Sequence, residues 1–207
     1  MDEILRYFPN LTDLQRSQFE ALQALYADLN AKVNVISRKD IDNLYVNHVL
    51  HSLSIAKFIT PVAGTRFIDL GCGGGFPGIP LAIMWPDCES HLIDRIGKKV
   101  KVAQTVAEAI GLTNCTFQHG DSGECRRKFD YVVSRAVMPL PDLVKASQHL
   151  VDRRGSNKLP NGVICLKGGD LADEIKATRR EVLDVPLSDF FPELPYFATK
   201  YLLYLPL

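Results

Sequence analysis

Residues 67–81 read Phe-Ile-Asp-Leu-Gly-Cys-Gly-Gly-Gly-Phe-Pro-Gly-Ile-Pro-Leu. An apolar stretch runs straight into glycines, and a second apolar stretch follows with Pro80 placed to suit the first turn of a helix. Glycine tolerates positive φ and lets a ligand approach the backbone closely. The segment therefore specifies a strand, a tight turn and a helix. In an open parallel sheet, such a turn lies outside the carboxyl ends of the strands, where ligands bind. The spacing is D-x-G-x-G-x-G, with Asp69, Gly71, Gly73 and Gly75. The dinucleotide fingerprint G-x-G-x-x-G needs glycine where Phe76 stands, and the G-K-[ST] of a phosphate loop is absent.

The rest of the chain alternates in the same way. Short apolar runs at Arg66–Leu70, His91–Asp94, Cys115–His119, Tyr131–Ser134, Val163–Lys167 and Tyr201–Leu205 read as strands. Helical segments between them are expected at Gly78–Met84, Lys98–Ile110, Leu140–Val151 and Leu171–Leu183. This alternation predicts an α/β fold with a mostly parallel sheet covered by helices on both faces. Residues 1–60 differ. Leu14, Phe19, Leu22, Leu25, Tyr26 and Leu29 recur at helical spacing after Thr12, which can cap that helix, and a second helical stretch holds Leu44, Val49 and Leu53. The expected organisation is thus a helical extension over 1–60 and a ligand-binding domain over 61–207. Arg153–Asn161 is expected to be a mobile polar loop, and the apolar ending to be a buried strand.

At 207 residues, with 46% apolar content, the chain can bury a full core. No apolar run reaches the ~18 residues of a membrane span, and the acidic start MDEILRYFPN lacks the character of an export signal. A cytoplasmic protein that does not contact membrane is expected. Cys72, Cys88, Cys115, Cys125 and Cys165 show no paired spacing and read as free thiols, with no metal site. Net charge is zero, but residues 95–167 hold 13 Lys/Arg against six Asp/Glu. That excess can form a basic face for an anionic partner or remain scattered.

Several side chains stand where chemistry is expected. Asp94 ends the second strand, 23 residues after Gly71, where a carboxylate can accept both hydroxyls of a ribose. Asp121 and Ser122 follow the third strand. Arg135 and Lys167 leave the fourth and fifth strands beside the expected pocket and are the substrate-side candidates. His48 and His51 lie one turn apart, suited to packing or RNA contact. The Arg126-Arg127-Lys128 run suits phosphate contact or a solvated turn.

The glycine loop resembles motif I of the S-adenosylmethionine-dependent methyltransferases that have a Rossmann-like, seven-stranded sheet. Taken with Leu92-Ile93-Asp94 followed by Gly97-Lys98-Lys99, with FDYVVSRAV, LKGG, NVISRKD and HVLHSL, the chain resembles the RsmG (GidB) family over roughly residues 20–170. The resemblance implies methyl transfer from S-adenosylmethionine to N7 of a guanine in 16S ribosomal RNA. The partner it implies is that RNA or the small ribosomal subunit, met by a monomer. Cofactor contacts are implied at Asp69, Gly71, Gly73, Gly75, Phe76, Asp94, Arg95, Ile96, Asp121, Ser122 and Arg135. This chain departs from common family patterns at Arg95, where a serine is frequent, and at His51, where an aspartate is frequent. Competing readings are a methyltransferase for another RNA or a small molecule, an NAD-dependent oxidoreductase, which the loop spacing disfavours, and a non-catalytic RNA-binding module.

Overall fold

A computed structural model of the chain describes residues 1–37 and 40–207; Arg38 and Lys39 of the NVISRKD motif lie outside the described residues. The sheet has seven strands: β1 (Arg66–Leu70), β2 (Glu89–Asp94), β3 (Cys115–His119), β4 (Tyr131–Arg135), β5 (Gly162–Gly168), β6 (Leu183–Pro186) and β7 (Lys200–Pro206). Their order is β3-β2-β1-β4-β5-β7-β6. The first five run parallel, while β7 is antiparallel to both β5 and β6. The order reverses between β1 and β4, so the crevice outside their carboxyl ends is the switch point where ligands bind in such sheets.

Strand periodicity sorts the core into two clusters. Phe67, Tyr131, Val133, Ile164 and Leu166 face one side, and Ile68, Leu70, Val132, Val163 and Cys165 the other. The first face is covered by α2 (Asp13–Lys32), α4 (Gly78–Met84) and α5 (Gly97–Ala109), and by a helical stretch that begins as a π-turn segment at Leu44–Leu50 and continues as α3 (His51–Phe58). A short α1 (Asp2–Tyr7) precedes them. The second face carries α6 (Leu140–Ser147) and α7 (Ala172–Thr178). Thr12 caps α2 reciprocally with Gln15, as the sequence indicates.

Phe19, Leu22, Tyr26 and Leu53 are fully buried in the cluster that contains Phe67 and Ile79, so residues 1–60 share one core with the sheet. Three boundaries differ from expectation. The helix expected at Leu171–Leu183 stops at Thr178, where Arg179 takes φ +53, and Leu183–Pro186 becomes the edge strand β6. Pairing with β7 overrides the local pattern there. The helix expected to reach Val151 ends at Ser147, and Val151 instead bridges Phe129. The polar segment 153–161 has no regular structure, yet it is tied down. Asn161 Nδ2 donates to the carbonyls of Asp152 and Arg154 (2.9 and 3.1 Å), and Asn157 Oδ1 accepts from Val62 N (2.9 Å). All five cysteines are unpaired. Among the described residues, no helix is long and apolar enough to cross a membrane.

Candidate functional site

The loop after β1 carries the site's first half. Gly71, Gly73 and Gly75 all have positive φ. At Gly75 (φ +112) an added Cβ would sit 2.6 Å from the Ile79 side chain, so glycine is required for helix α4 to pack. At Gly73 (φ +52) an added Cβ would meet no protein atom within 4 Å, so this side of the loop is open to a ligand. The loop is braced on three sides. Gly73 N donates to Asp94 Oδ2 (2.8 Å), and Asp94 Oδ1 accepts from Ile96 N (2.8 Å). Tyr26 of α2 donates its hydroxyl to Gly74 O (2.8 Å). Asp69, 1% exposed, accepts from Gly78 N (2.7 Å) at the start of α4. Burial pushes the Asp69 carboxyl up to about 7, against the opposing pull of the Gly78 bond and the Arg135 cation. Its Oδ1 has no partner among the described residues.

A cleft of about 710 Å³ opens beside this loop. Gly71, Asp94, Arg95, Ile96, Asp121 and Ser122 line it, six of the residues expected from sequence. Gly73, Gly75, Asp69 and Phe76 stand behind or beside that wall. Val137, Asp142, Lys145 and His149 complete the cleft from the β4–α6 side. No local sequence signal marked these four, because α6 reaches the cleft only through the fold. Arg95 and Asp121 form a two-pronged ion pair across the rim (Nε–Oδ2 2.6 Å). The Gly123 N–H first, then the Arg95 pair and the Ser122 hydroxyl, hold Asp121 below its ordinary carboxylate range. The cleft fits S-adenosylmethionine in chemistry as well as volume. It offers the backbone of Gly71 and Gly120, a carboxylate at the end of β2 and apolar surface at Ile96 and Val137, and the open side of Gly73 adjoins it.

The second half lies where β4 ends. Arg135 is on the same face as Asp69 by strand parity, beneath the N-terminal helices. Its guanidinium donates to Asn47 O (3.2 Å) and to His48 Nδ1 (2.9 Å), and it lies 5.2 Å from the centre of the Phe76 ring. Phe76, 4% exposed, packs on Tyr26 and His48 and so joins the glycine loop to Arg135. An arginine can only donate, so His48 accepts at Nδ1 and carries its proton on Nε2, which donates to Asp40 Oδ2 (2.7 Å). Burial, reinforced by the Arg135 cation, brings His48 down to about 4, so this histidine is neutral at pH 7. Burial acts to raise Asp40, but bonds from Asn47 and His48 outweigh it and lower the carboxyl. Asp40, His48 and Arg135 thus form one chain of hydrogen bonds.

His51, 5% exposed, sits next to this chain with Nδ1 3.2 Å from the Tyr196 hydroxyl. That hydroxyl donates to Asn47 O (3.1 Å), so it accepts from His51 and leaves His51 Nε2 an unused acceptor. His48, His51, Arg135, Lys167, Tyr196 and Lys200 border a second pocket of about 470 Å³. Tyr196 and Lys200 were not foreseen, since they enter from the C-terminal segment. Lys167 reaches only the rim. Its neighbour Leu166 pairs with Arg135, so Lys167 projects to the opposite face, where its ammonium is held by Glu174 Oε2 (2.7 Å) and Met138 O (2.9 Å). The Arg126–Lys128 run is also divided. Arg127 pairs with Glu89 and donates to Thr116, whereas Lys128 donates to His149 O.

Comparison with known proteins identifies the family. Residues 15–188 match the GidB family, described as rRNA small subunit methyltransferase G. The chain is 56% identical to the ribosomal RNA small subunit methyltransferase G of Parabacteroides distasonis, over 97% of this chain and 87% of that one. It is 49% identical to the protein of the same name from Flavobacterium johnsoniae, over 100% and 98%. In fold it is similar to Aeropyrum pernix fibrillarin, solved with natively bound S-adenosyl-L-methionine, at TM-score 0.57 and 14% identity, covering 76% of this chain and 73% of that one. An S-adenosylmethionine-dependent methyltransferase of Aquifex aeolicus gives TM-score 0.56 at 12% identity, covering 82% and 98%. With a family match across most of its length and close full-length relatives, the chain belongs to the small-subunit ribosomal RNA methyltransferase G family.

Proposed function

We propose that this chain transfers the methyl group of S-adenosylmethionine to N7 of a guanine in 16S ribosomal RNA. The observation that carries the reading is the kind of site found beside the glycine loop: well-organised donors, while the nearby acceptors without a partner among the described residues, His51 Nε2 and Asp69 Oδ1, are sealed from solvent rather than presented to a substrate. Asp69 is buried behind the loop, His48 has both ring nitrogens committed, and Lys167 is paired with Glu174. A nucleophile that carries a proton, such as an exocyclic amine, would need a base to remove it. Guanine N7 is an in-plane lone pair without a proton and needs only alignment. The cofactor supplies an activated methyl on sulfur; the protein's task is positioning.

In this reading the loop from Gly71 to Gly75, with Phe76, Asp94–Ile96, Asp121 and Ser122, holds the cofactor, and Asp69 supports the loop from behind. Arg135, set rigidly by Asn47 and His48, orients the guanine side. Lys167 forms the pocket rim through its tie to Glu174. Residues 1–60 are the substrate-side wall of one site rather than a separate unit. The reaction runs in the cytoplasm on a monomer, without membrane contact, and light scattering in solution checks the monomer. The decisive experiment is tritiated-methyl transfer to small-subunit ribosomal RNA, followed by nucleoside analysis. The expected product is 7-methylguanosine. A label on a proton-bearing amine would overturn the N7 assignment. Thermal stabilisation by NAD and not by S-adenosylmethionine would overturn the cofactor assignment.

A further inference from the structure

The site described above occupies the carboxyl end of the parallel strands. At the amino end, Lys128, His149, Asp152, Arg153, Arg154 and Arg180 border a groove of about 670 Å³. Its cations come from three separate parts of the chain: Lys128 from the approach to β4, Arg153 and Arg154 from the loop before β5, and Arg180 from the turn after α7. All four are exposed. Among the described residues, the guanidinium groups of Arg153, Arg154 and Arg180 form neither an ion pair nor a hydrogen bond with protein.

Asp152 is the only acidic side chain lining the groove, and Arg66 outside it already pairs with that carboxylate (3.1 Å). Lys128 donates to a carbonyl, His149 O, and shares the Asp152 carboxylate with Arg66, so it has no ion pair of its own. The arginine loop is built rather than loose. Asn161, 6% exposed, holds the carbonyls of Asp152 and Arg154, and Arg154 N donates to Asp152 Oδ1 (3.2 Å). Four convergent and largely unanswered cations around a concave surface raise the folded protein's self-repulsion. They match a partner that carries regularly spaced negative charge.

We propose that this groove is a second contact surface for the ribosomal RNA, binding phosphates of its backbone at the end of the sheet opposite the reacting guanine. The inference rests on the reading of RNA as substrate. Strand β5 runs from one site to the other over seven residues, a separation of about 20 Å at roughly 3.3 Å per residue. A folded RNA spans that distance easily, whereas a nucleoside cannot. The groove therefore supplies sequence-independent affinity and register, while the pocket at Arg135 supplies chemistry. His149 lines both this groove and the cofactor cleft, so the two surfaces adjoin around α6.

The test compares wild type with the triple variant Arg153→Ala/Arg154→Ala/Arg180→Ala, using full-length 16S ribosomal RNA transcript or the small subunit, whichever the wild type methylates. Binding is measured at several salt concentrations, beside methylation at limiting and saturating RNA. Each lost phosphate contact should flatten the slope of log affinity against log salt by about 0.7–0.9, so the triple variant should lose roughly two to three units. KM for RNA should rise at least tenfold, with kcat at saturation and cofactor affinity unchanged. The variant Arg153→Lys/Arg154→Lys/Arg180→Lys keeps the charges and should restore the slope. An unchanged slope and KM in the alanine variant, with wild type active on the RNA, would overturn the groove and leave the substrate reading standing. A wild type that neither binds nor methylates RNA would overturn both. Unaltered cofactor affinity and melting temperature establish that the variant is folded.

Discussion

The two halves of the crevice are constructed by different means. The proposed cofactor half is organised around one contiguous stretch of backbone: positive-φ glycines, the Gly73 N–H held by Asp94, and the Gly78 N–H held by Asp69. The proposed substrate half is almost entirely side chain, with Asp40, His48 and Arg135 in series, Phe76 beneath and Tyr196 and His51 beside them. Backbone donors are fixed by a short contiguous segment, so one strand, loop and helix suffice. The side-chain chain draws on positions 40, 48, 135 and 196, which meet only after the helices and β4 have packed. A cofactor shared by many enzymes can be held by the first device. A particular nucleotide needs the second.

The largest effect should come from breaking the backbone half. Gly73→Val places a branched side chain in the open space of the loop, at a φ of +52 that costs roughly 1–2 kcal/mol for a residue with Cβ. Cofactor affinity should fall by about a hundredfold or more, with the circular dichroism spectrum retained. Undiminished affinity in calorimetry would put the cofactor elsewhere.

Next is the side-chain half. Arg135→Ala should lower single-turnover methylation by about a hundredfold, because positioning supplies most of this catalysis, while cofactor affinity changes little. Arg135→Lys should rescue poorly. One ammonium cannot reproduce the planar fork that reaches both Asn47 O and His48 Nδ1. A lysine variant with wild-type rate would show that charge alone is needed there.

These contrasts also mark what could be read from the chain in advance. The strand-to-glycine-loop segment and the acid at Asp94 needed only local patterning, and the sheet followed from alternating periods. The edge strand Leu183–Pro186 was hidden, because its partner β7 is what makes it a strand. Arg135 was recognisable as the residue leaving the fourth strand, which the structure extends by one to include it, but its partners were not. His48 showed only a helical position, and Asp40 adjoins a segment without periodic pattern. Val137, Lys145 and His149 line the cofactor cleft through tertiary packing alone. Parity carries the signal for Lys167: it alternates with Leu166, the partner of Arg135, so its side chain leaves the opposite face of the sheet.

A smaller effect should appear in the pH dependence of stability. His48 in the folded protein titrates at about 4, against 6.5 when unfolded. The unfolded chain therefore binds more protons between these values. Stability from this group is present above pH 6.5 and is lost as pH falls toward 4. Urea titrations of wild type and His48→Gln across that window should differ in slope by about one proton, since the contributions of Asp69 and His51 are common to both. An unchanged slope in the variant would mean that the neutral histidine is not what links Asp40 to Arg135.

The smallest effect on catalysis is expected at Lys167, and it separates the two faces of the sheet. Its ammonium joins Glu174 Oε2 to Met138 O, and the same Glu174 oxygen accepts from Leu140 N at the start of α6. Only about 10% of the side chain is exposed. Lys167→Met keeps most of the volume but leaves Met138 O without its donor, at a cost of about 1–3 kcal/mol for an unsatisfied buried group. The melting temperature should drop by several degrees, while kcat at saturating RNA stays within about threefold of wild type. A second variant, Glu174→Gln, should lower stability in the same way, since both act on one bridge. If Lys167→Met instead abolished methyl transfer while Glu174→Gln did not, the ammonium would have to leave Glu174 and enter the pocket during the reaction. The division of labour between the two faces of β4 and β5 would then fail.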